Sequence, residues 1–429
     1  MINNAFVYIW NQRVGAVSWD SEQQLGTFEY DKSFLQKGWQ LSPILMPIQN
    51  GEQFFQFPEN RHSSTFKGLP GLLADVLPDK YGNALINAWL AKQGRPSNSL
   101  NPVETLCFIG KRGMGALEFE PVQPKSTNLS ARVELGHLVD IAEEILTGRK
   151  DFSANLSTSD EKALFEILKI GSSAGGAQAK ALIAFNEITG ETRSGQAAAP
   201  NGFEHWLIKF DGVADTQFGA SMGYGRVEMA YYQMAIDAGI QMMESRLLEE
   251  NNRAHFMTKR FDRPNRDEKL HVQTFCALRH LDFNEVHLFS YEELFETMRM
   301  LGLSYASAQE LFRRMVFNVL AKNCDDHTKN FAFIMDQNGQ WDLAPAYDIC
   351  HAYRPGSEWV SQHALSINGK RKDITRQDLL LVAKNMNIKN PAKIIDNVSS
   401  VVSQWKTYAN TVQVDELLRD SIDKTLLIL

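Results

Sequence analysis

Ten residues, Cys324-Asp325-Asp326-His327-Thr328-Lys329-Asn330-Phe331-Ala332-Phe333, hold the densest chemistry in the chain. They set a carboxylate at Asp325 and a carboxamide at Asn330, and a further acid, Asp348, follows in Leu343-Ala344-Pro345-Ala346-Tyr347-Asp348. Phosphoryl transfer needs that inventory. One Asp orients the attacking hydroxyl, while an Asn and a second Asp hold the metal that bridges the nucleotide phosphates. Protein kinases use the same spacing between catalytic Asp and metal-binding Asn. The reading is a kinase, with Asp325 catalytic and Asn330 and Asp348 as ligands to Mg²⁺, a hard cation that prefers oxygen. Asp and Asn are also common at helix ends and turns. What favours chemistry is the company: an amphipathic helix before, a hairpin between, and His327 and Lys329 within. His327 reads equally as a group that steadies the catalytic loop and as a buried histidine satisfied by backbone. Lys329 reads as a neutraliser of the transferring phosphoryl group or as a solvated surface lysine.

The elements that must position these groups are visible in the apolar pattern. Ser307–Lys322 carries Leu311, Phe312, Met315, Val316, Val319 and Leu320 at helical spacing and delivers the chain to Asp325. Phe331–Met335 and Gln340–Leu343 are strands joined by the turn Asp336-Gln337-Asn338-Gly339. The hairpin folds the chain back so that Asn330 and Asp348 can meet. Upstream, Ala181–Phe185 and Trp206–Phe210 read as strands, Glu228–Ala238 as a helix and Phe256–Phe261 as a strand. Lys209 inside an apolar strand requires a counter-charge, and Glu228 is the candidate, unless the lysine snorkels from an edge. The glycine-rich loop Gly171–Lys180 matches neither the phosphate-loop nor the dinucleotide pattern, so a phosphate cradle and a surface turn stay open. Its serines are candidate phosphorylation sites. Lys259-Arg260-Phe261-Asp262-Arg263 lies where an interlobe hinge would offer backbone groups to adenine, or is simply a charged strand end.

Residues 6–30 alternate as β-hairpins, so residues 1–50 are expected to form a small antiparallel sheet, with helical spacing over 72–90 and a short strand at Leu117–Phe119. Helices are expected over 133–146 and 161–168, and throughout 376–429. At 429 residues, two or three domains are expected: 1–125, 126–262 and 263–429. The net charge of -7, without a Lys/Arg-rich run, argues against sequence-independent nucleic-acid binding by this chain. Four cysteines without metal-like spacing point to reduced thiols, and no apolar run reaches membrane-spanning length. A cytoplasmic protein without a membrane partner is the expectation.

The order Ser-x-Gly-Gly-Ala-Gln-x-Lys (173–180), strand lysine, Arg-Phe-Asp-Arg (260–263), Asp-x-His-x-Lys-Asn-Phe (325–331) and Ala-Pro-x-Tyr-Asp (344–348) resembles the HipA family, kinase toxins of bacterial toxin–antitoxin modules. Gly-Leu-Leu-Ala-Asp-Val-Leu-Pro-Asp (71–79) extends the likeness into the N-terminal part. The resemblance implies a two-lobed α+β protein-kinase-like fold, with a β-rich N-terminal subdomain and an all-helical C-terminal lobe. It implies ATP and Mg²⁺ as cofactors, with Lys209 at the phosphates and Glu228 as its partner. Gly175, Gly176, Ala177, Gln178 and Lys180 would form the phosphate loop. Lys259 and Phe261 would meet adenine through their backbones, with Asp262 near the ribose, and Ser173 would be the inactivating autophosphorylation site. Expected partners are an aminoacyl-tRNA synthetase as substrate, a HipB-like helix-turn-helix antitoxin, and operator DNA through that antitoxin. A small-molecule or phosphoinositide-type kinase and a non-catalytic corepressor are the rival readings. Asp326, a second acid beside the catalytic one, faces solvent or alters the base.

Overall fold

Alternating apolar residues near the N-terminus build a sheet around a two-residue hairpin. β1 (Asn4–Ile9) and β2 (Gln12–Asp20) turn at Trp10-Asn11, both at positive φ, as the tight turn between right-twisted strands requires. β3 (Leu25–Tyr30), β4 (Phe54–Phe55) and β5 (Leu117–Pro121) complete five strands in the order β4-β3-β2-β1-β5. The sheet therefore extends past the expected first 50 residues, because β5 returns to pair with β1. The computed structural model describes residues 2–48, 54–92, 94–122, 179–195, 199–212, 223–265 and 268–429. The helices expected over 133–146 and 161–168, the boundary at 125/126, Ser173 and Gly175–Gln178 lie outside these residues.

Around the first sheet lie α1 (Lys32–Leu35), α2 (Gly71–Ala74), α3 (Lys80–Lys92) and α4 (Pro102–Ile109). A second antiparallel sheet follows: β6 (Lys180–Phe185), β7 (Thr192–Ser194), β8 (Glu204–Lys209), β9 (Ser245–Glu250) and β10 (Arg253–Lys259), in the order β7-β6-β8-β10-β9. Between β8 and β9 the chain forms α5 (Tyr224–Asp237), which lies against β10 so closely that a Cβ at Gly225 would sit 1.9 Å from the Ala254 carbonyl oxygen.

The remainder is mostly helical: α6 (Phe275–Arg279), α7 (Tyr291–Met300), α8 (Tyr305–Leu320), α9 (Arg376–Asn385), α10 (Pro391–Val402), α11 (Trp405–Thr411) and α12 (Glu416–Asp423). The mixed, two-lobed class matches the expectation, but the last lobe is not all-helical. β11 (His271–Thr274) adds to the predicted hairpin β12 (Ala332–Met335) and β13 (Trp341–Leu343) in a three-stranded sheet. Four residues at 271–274 are too short a run for periodicity to announce a strand; pairing with β12 makes it one.

Two cores result. One packs α5 against α8 and the terminal helices through Tyr231, Phe312, Phe317 and Trp405. The other fills the N-terminal domain and includes Cys276 and Met335 from the far lobe, so the two units share buried surface. Polar contacts fix that junction. Asp75 accepts from the Thr274 N–H and hydroxyl, each at 2.7 Å, His280 Nε2 accepts the Gly71 N–H at 2.8 Å, and Asp282 takes the Ser63 hydroxyl at 2.6 Å and that of Thr65.

Candidate active site

The site grows from the end of α8. Ser304 caps its start by accepting the Ser307 N–H, and eleven buried positions along it seat the helix in the core. Tyr231 of α5 donates to the Ala321 carbonyl at 2.6 Å, tying the helix end to α5. The chain then runs extended through Asp325, closes a single 3-10 turn at Thr328–Asn330, and enters β12. Within this loop Asn330 Nδ2 donates to the Asp325 carbonyl oxygen at 2.6 Å. That bond commits the amide nitrogen to the loop and leaves the carboxamide oxygen as the acceptor end.

Asp348 sits opposite, at φ 52°, in left-handed backbone that a non-glycine residue adopts at a cost. Arg314 of α8 donates to the Ala344 carbonyl at 2.8 Å, and Tyr347 donates to the Lys329 carbonyl at 2.6 Å, so one end of its segment is anchored to α8 and the other to the 325–330 loop. Lys209, the last residue of β8, donates to both the Glu228 and Asp348 carboxylates. Burial opposes the charge on Lys209, but Asp348 and Glu228 outweigh it and hold the ammonium well above its ordinary range. Burial likewise pushes the Asp348 carboxyl up, yet Lys209 and Lys180 more than offset this and keep it ionised below the usual carboxylate range. Asp325 is shifted the other way: burial raises its carboxyl, with His327 opposing and Asp348 adding to the rise.

Asn330 and Asp348 line one cavity, Asp325 lies within electrostatic reach of Asp348, and the buried Lys209 donates to Asp348. This donor set fits a hard divalent cation, and no cluster of three or more His, Cys, Asp or Glu able to hold a metal occurs among the described residues. A site poor in protein ligands suits Mg²⁺, which keeps waters and takes phosphate oxygens alongside one or two carboxylates.

The structure brings together Asp325, Asn330, Asp348, Lys209, Glu228 and Lys180. His327 stands beside them, its Nε2 3.9 Å from Asp325 Oδ1 and its ring tilted on Phe283. Lys329 lies over the Phe283 ring, 5.2 Å from its centre. One hinge expectation needs correction. Asp262 is fully buried and cannot meet a ribose: it accepts from Arg260, Arg263 and the Gly115 N–H, and despite burial the two guanidiniums hold its carboxyl well below the usual range. It fastens the N-terminal domain to the end of the second sheet. The Lys259 N–H donates to the Glu244 carbonyl at 2.9 Å, and its ammonium pairs with Glu204 and Glu244 above Trp206. Phe261 stacks on Tyr347, with ring centres 5.7 Å apart.

Asp326 does not face solvent, and it adds electrostatically to the rise of the Asp325 carboxyl. It is 1% exposed and accepts from Tyr291 at 2.8 Å, His363 Nδ1 at 2.9 Å and the Ala364 N–H at 2.8 Å. Burial opposes charging His363, but Asp326 outweighs it and pushes the imidazole up to about 10. This pair pins the residue next to Asp325. Sequence reasoning missed it because His363 lies far along the chain; the only signal was an acid with no explanation. Asp79, whose carboxylate reaches Lys180 at 3.4 Å, was missed for the same reason.

Two family models match the chain: the HipA N-terminal domain over residues 5–120 and the HipA-like C-terminal domain over residues 172–405. A Haemophilus influenzae protein described as a "Putative kinase" is 27% identical over 136 residues, spanning 28% of this chain and 39% of that relative. The fold corresponds to that of a Shewanella oneidensis MR-1 structure, solved as a toxin–antitoxin complex of HipA, HipB and operator DNA, with a TM-score of 0.67 at 17% identity over 98% of this chain and 94% of that one. Against the Helicobacter pylori proinflammatory kinase CtkA the TM-score is 0.33 at 14% identity, over 59% of this chain and 90% of that one, too low to argue from. No helix among the described residues is long and apolar enough to cross a membrane.

Proposed function

The chain belongs to the HipA family, and on that premise we propose that it is an ATP- and Mg²⁺-dependent serine/threonine protein kinase acting as the toxin of a toxin–antitoxin pair. The observation that carries the reading is Lys209 shared between Glu228 and Asp348, in the same cleft as Asp325 and Asn330. A lysine held by a helix glutamate and adjoining a metal-binding aspartate is what a phosphate-binding lysine requires. When bound, Mg²⁺ would join the nucleotide phosphates to Asp348 and the Asn330 carboxamide oxygen. Asp325 accepts the proton of the attacking hydroxyl, and its raised carboxyl makes it a better base than an exposed aspartate. Lys209 neutralises phosphate charge without competing for that proton, since it stays protonated.

An aminoacyl-tRNA synthetase is the proposed substrate, and a HipB-like antitoxin bound to operator DNA the proposed partner, with autophosphorylation at Ser173 as a second control. The chain's acidic balance suits DNA contact made through a partner. The test is transfer of label from ATP to protein in a lysate, comparing the parent with Asp325→Asn. Label on serine or threonine of a protein of synthetase size, lost by at least about a hundredfold in the variant, is expected. Label appearing only in lipid or metabolites, or undiminished growth arrest by Asp325→Asn, sinks the assignment.

A further inference from the structure

We propose that Asp79 of the N-terminal domain is a positioning residue for nucleotide binding: it holds Lys180 as a second phosphate cation and keeps it off the metal carboxylate Asp348. The proposal rests on the phosphotransfer reading of the cleft. Lys180 opens β6 directly opposite Lys209 on β8, and directly opposed residues share a face of the sheet. Its side chain is 2% exposed, and its Nζ stands 3.4 Å from Asp79 Oδ2, on a side chain only 8% exposed. Lys180 thus stands between Asp79 of the N-terminal domain and Lys209, which holds Glu228 and Asp348.

Asp79 is itself rigidly placed. Its Oδ1 accepts the Gly82 N–H at 2.6 Å at the start of α3, and its carbonyl accepts Asn83 Nδ2 at 2.7 Å. Four residues earlier Asp75 is locked to Thr274 at the start of α6. The loop between is therefore held from both domains, and Oδ2, buried without a hydrogen bond, is left facing Lys180. Burial pushes the Asp79 carboxyl up, Lys180 opposing.

Charge balance gives the consequence. Lys209 offsets one of the two negative charges on Glu228 and Asp348 and leaves the other. Without Asp79, the remaining carboxylate charge draws the flexible Lys180 chain more strongly, and Lys180 competes with Mg²⁺ for Asp348. The N-terminal domain thereby completes the site instead of merely adjoining it.

The experiment measures binding of a fluorescent ATP analogue with Mg²⁺ to the full chain in an Asp325→Asn background, and KM and kcat in the parent background. Asp79→Asn and Lys180→Met each raise the dissociation constant by about tenfold, the double variant by no more than either, and the single changes act on KM for ATP rather than kcat. Asp79→Glu recovers part of the loss. If Asp79→Asn does not fold, as removal of one buried partner risks, Lys180→Met and Asp79→Glu carry the comparison. Unchanged affinity in a folded Asp79 or Lys180 variant, or strictly additive effects, overturns the proposal while leaving the kinase reading intact. A parent that binds no nucleotide overturns both.

Discussion

Breaking the Asp326–His363 pair should unfasten the 325–330 loop, and its effect on stability follows from one titration. His363 has an ordinary pKa near 6.5 when unfolded and about 10 in the folded chain, where burial opposes and Asp326 promotes its charge. The difference, 10 − 6.5, at 1.36 kcal/mol per pKa unit is about 5 kcal/mol, an upper figure compatible with the roughly 3–5 kcal/mol lost when a buried pair is broken. The folded pKa is the higher one, so the contribution is complete below pH 6.5 and disappears as pH rises toward 10. Urea unfolding at about pH 6, 8 and 9.5 reads it out directly. The parent should lose stability steadily across that range. His363→Gln should be less stable by several kcal/mol at pH 6 and nearly flat thereafter, and Asp326→Asn should behave alike because it leaves the imidazole buried without its acid. Parallel pH dependence in parent and both variants would refute the reasoning, since it would mean that His363 is not charged in the folded state.

Two further outcomes follow from local geometry. Asp262→Asn leaves Arg260 and Arg263 buried around a neutral amide; unfolding should shift by about 3–5 kcal/mol, and thermal melts should show the loss without a change in ATP-site chemistry at Asp325. Gly225→Ala drives a methyl to within 1.9 Å of the Ala254 carbonyl oxygen, so α5 must move off β10. A cost of about 1–3 kcal/mol, together with weaker nucleotide binding because Glu228 rides on that helix, is expected; unchanged melting would show that α5 does not sit as described.

Much of the fold was legible because its signals are local. The period-2 pattern over 6–30, the amphipathic run into Asp325 and the Asp336–Gly339 turn each act over a few residues, and the strands and helix appear within two or three residues of expectation. The short strand β11 was not legible, because what makes it a strand is the neighbour it pairs with; β5 was legible as a strand, but its return to β1 was not. The hinge reading erred for a related reason. Arg-Phe-Asp-Arg names three charges but not which way they face, and burial beneath Gly115 turns Asp262 inward.

For the site itself, the sequence determined the chemistry available. The identities and spacing of Asp325, Asn330 and Asp348, with a lysine set in an apolar strand and a glutamate on the next helix, limit the inventory to oxygen donors and one buried cation. Only the tertiary structure decided how those charges are shared. Lys209 falls to Glu228 and Asp348 together because β8, α5 and the left-handed backbone at Asp348 converge. Asp326 falls to His363 and Asp79 to Lys180 because distant segments meet there. A buried charge must find a partner wherever packing leaves one, and packing is a property of the whole fold rather than of any window along the chain.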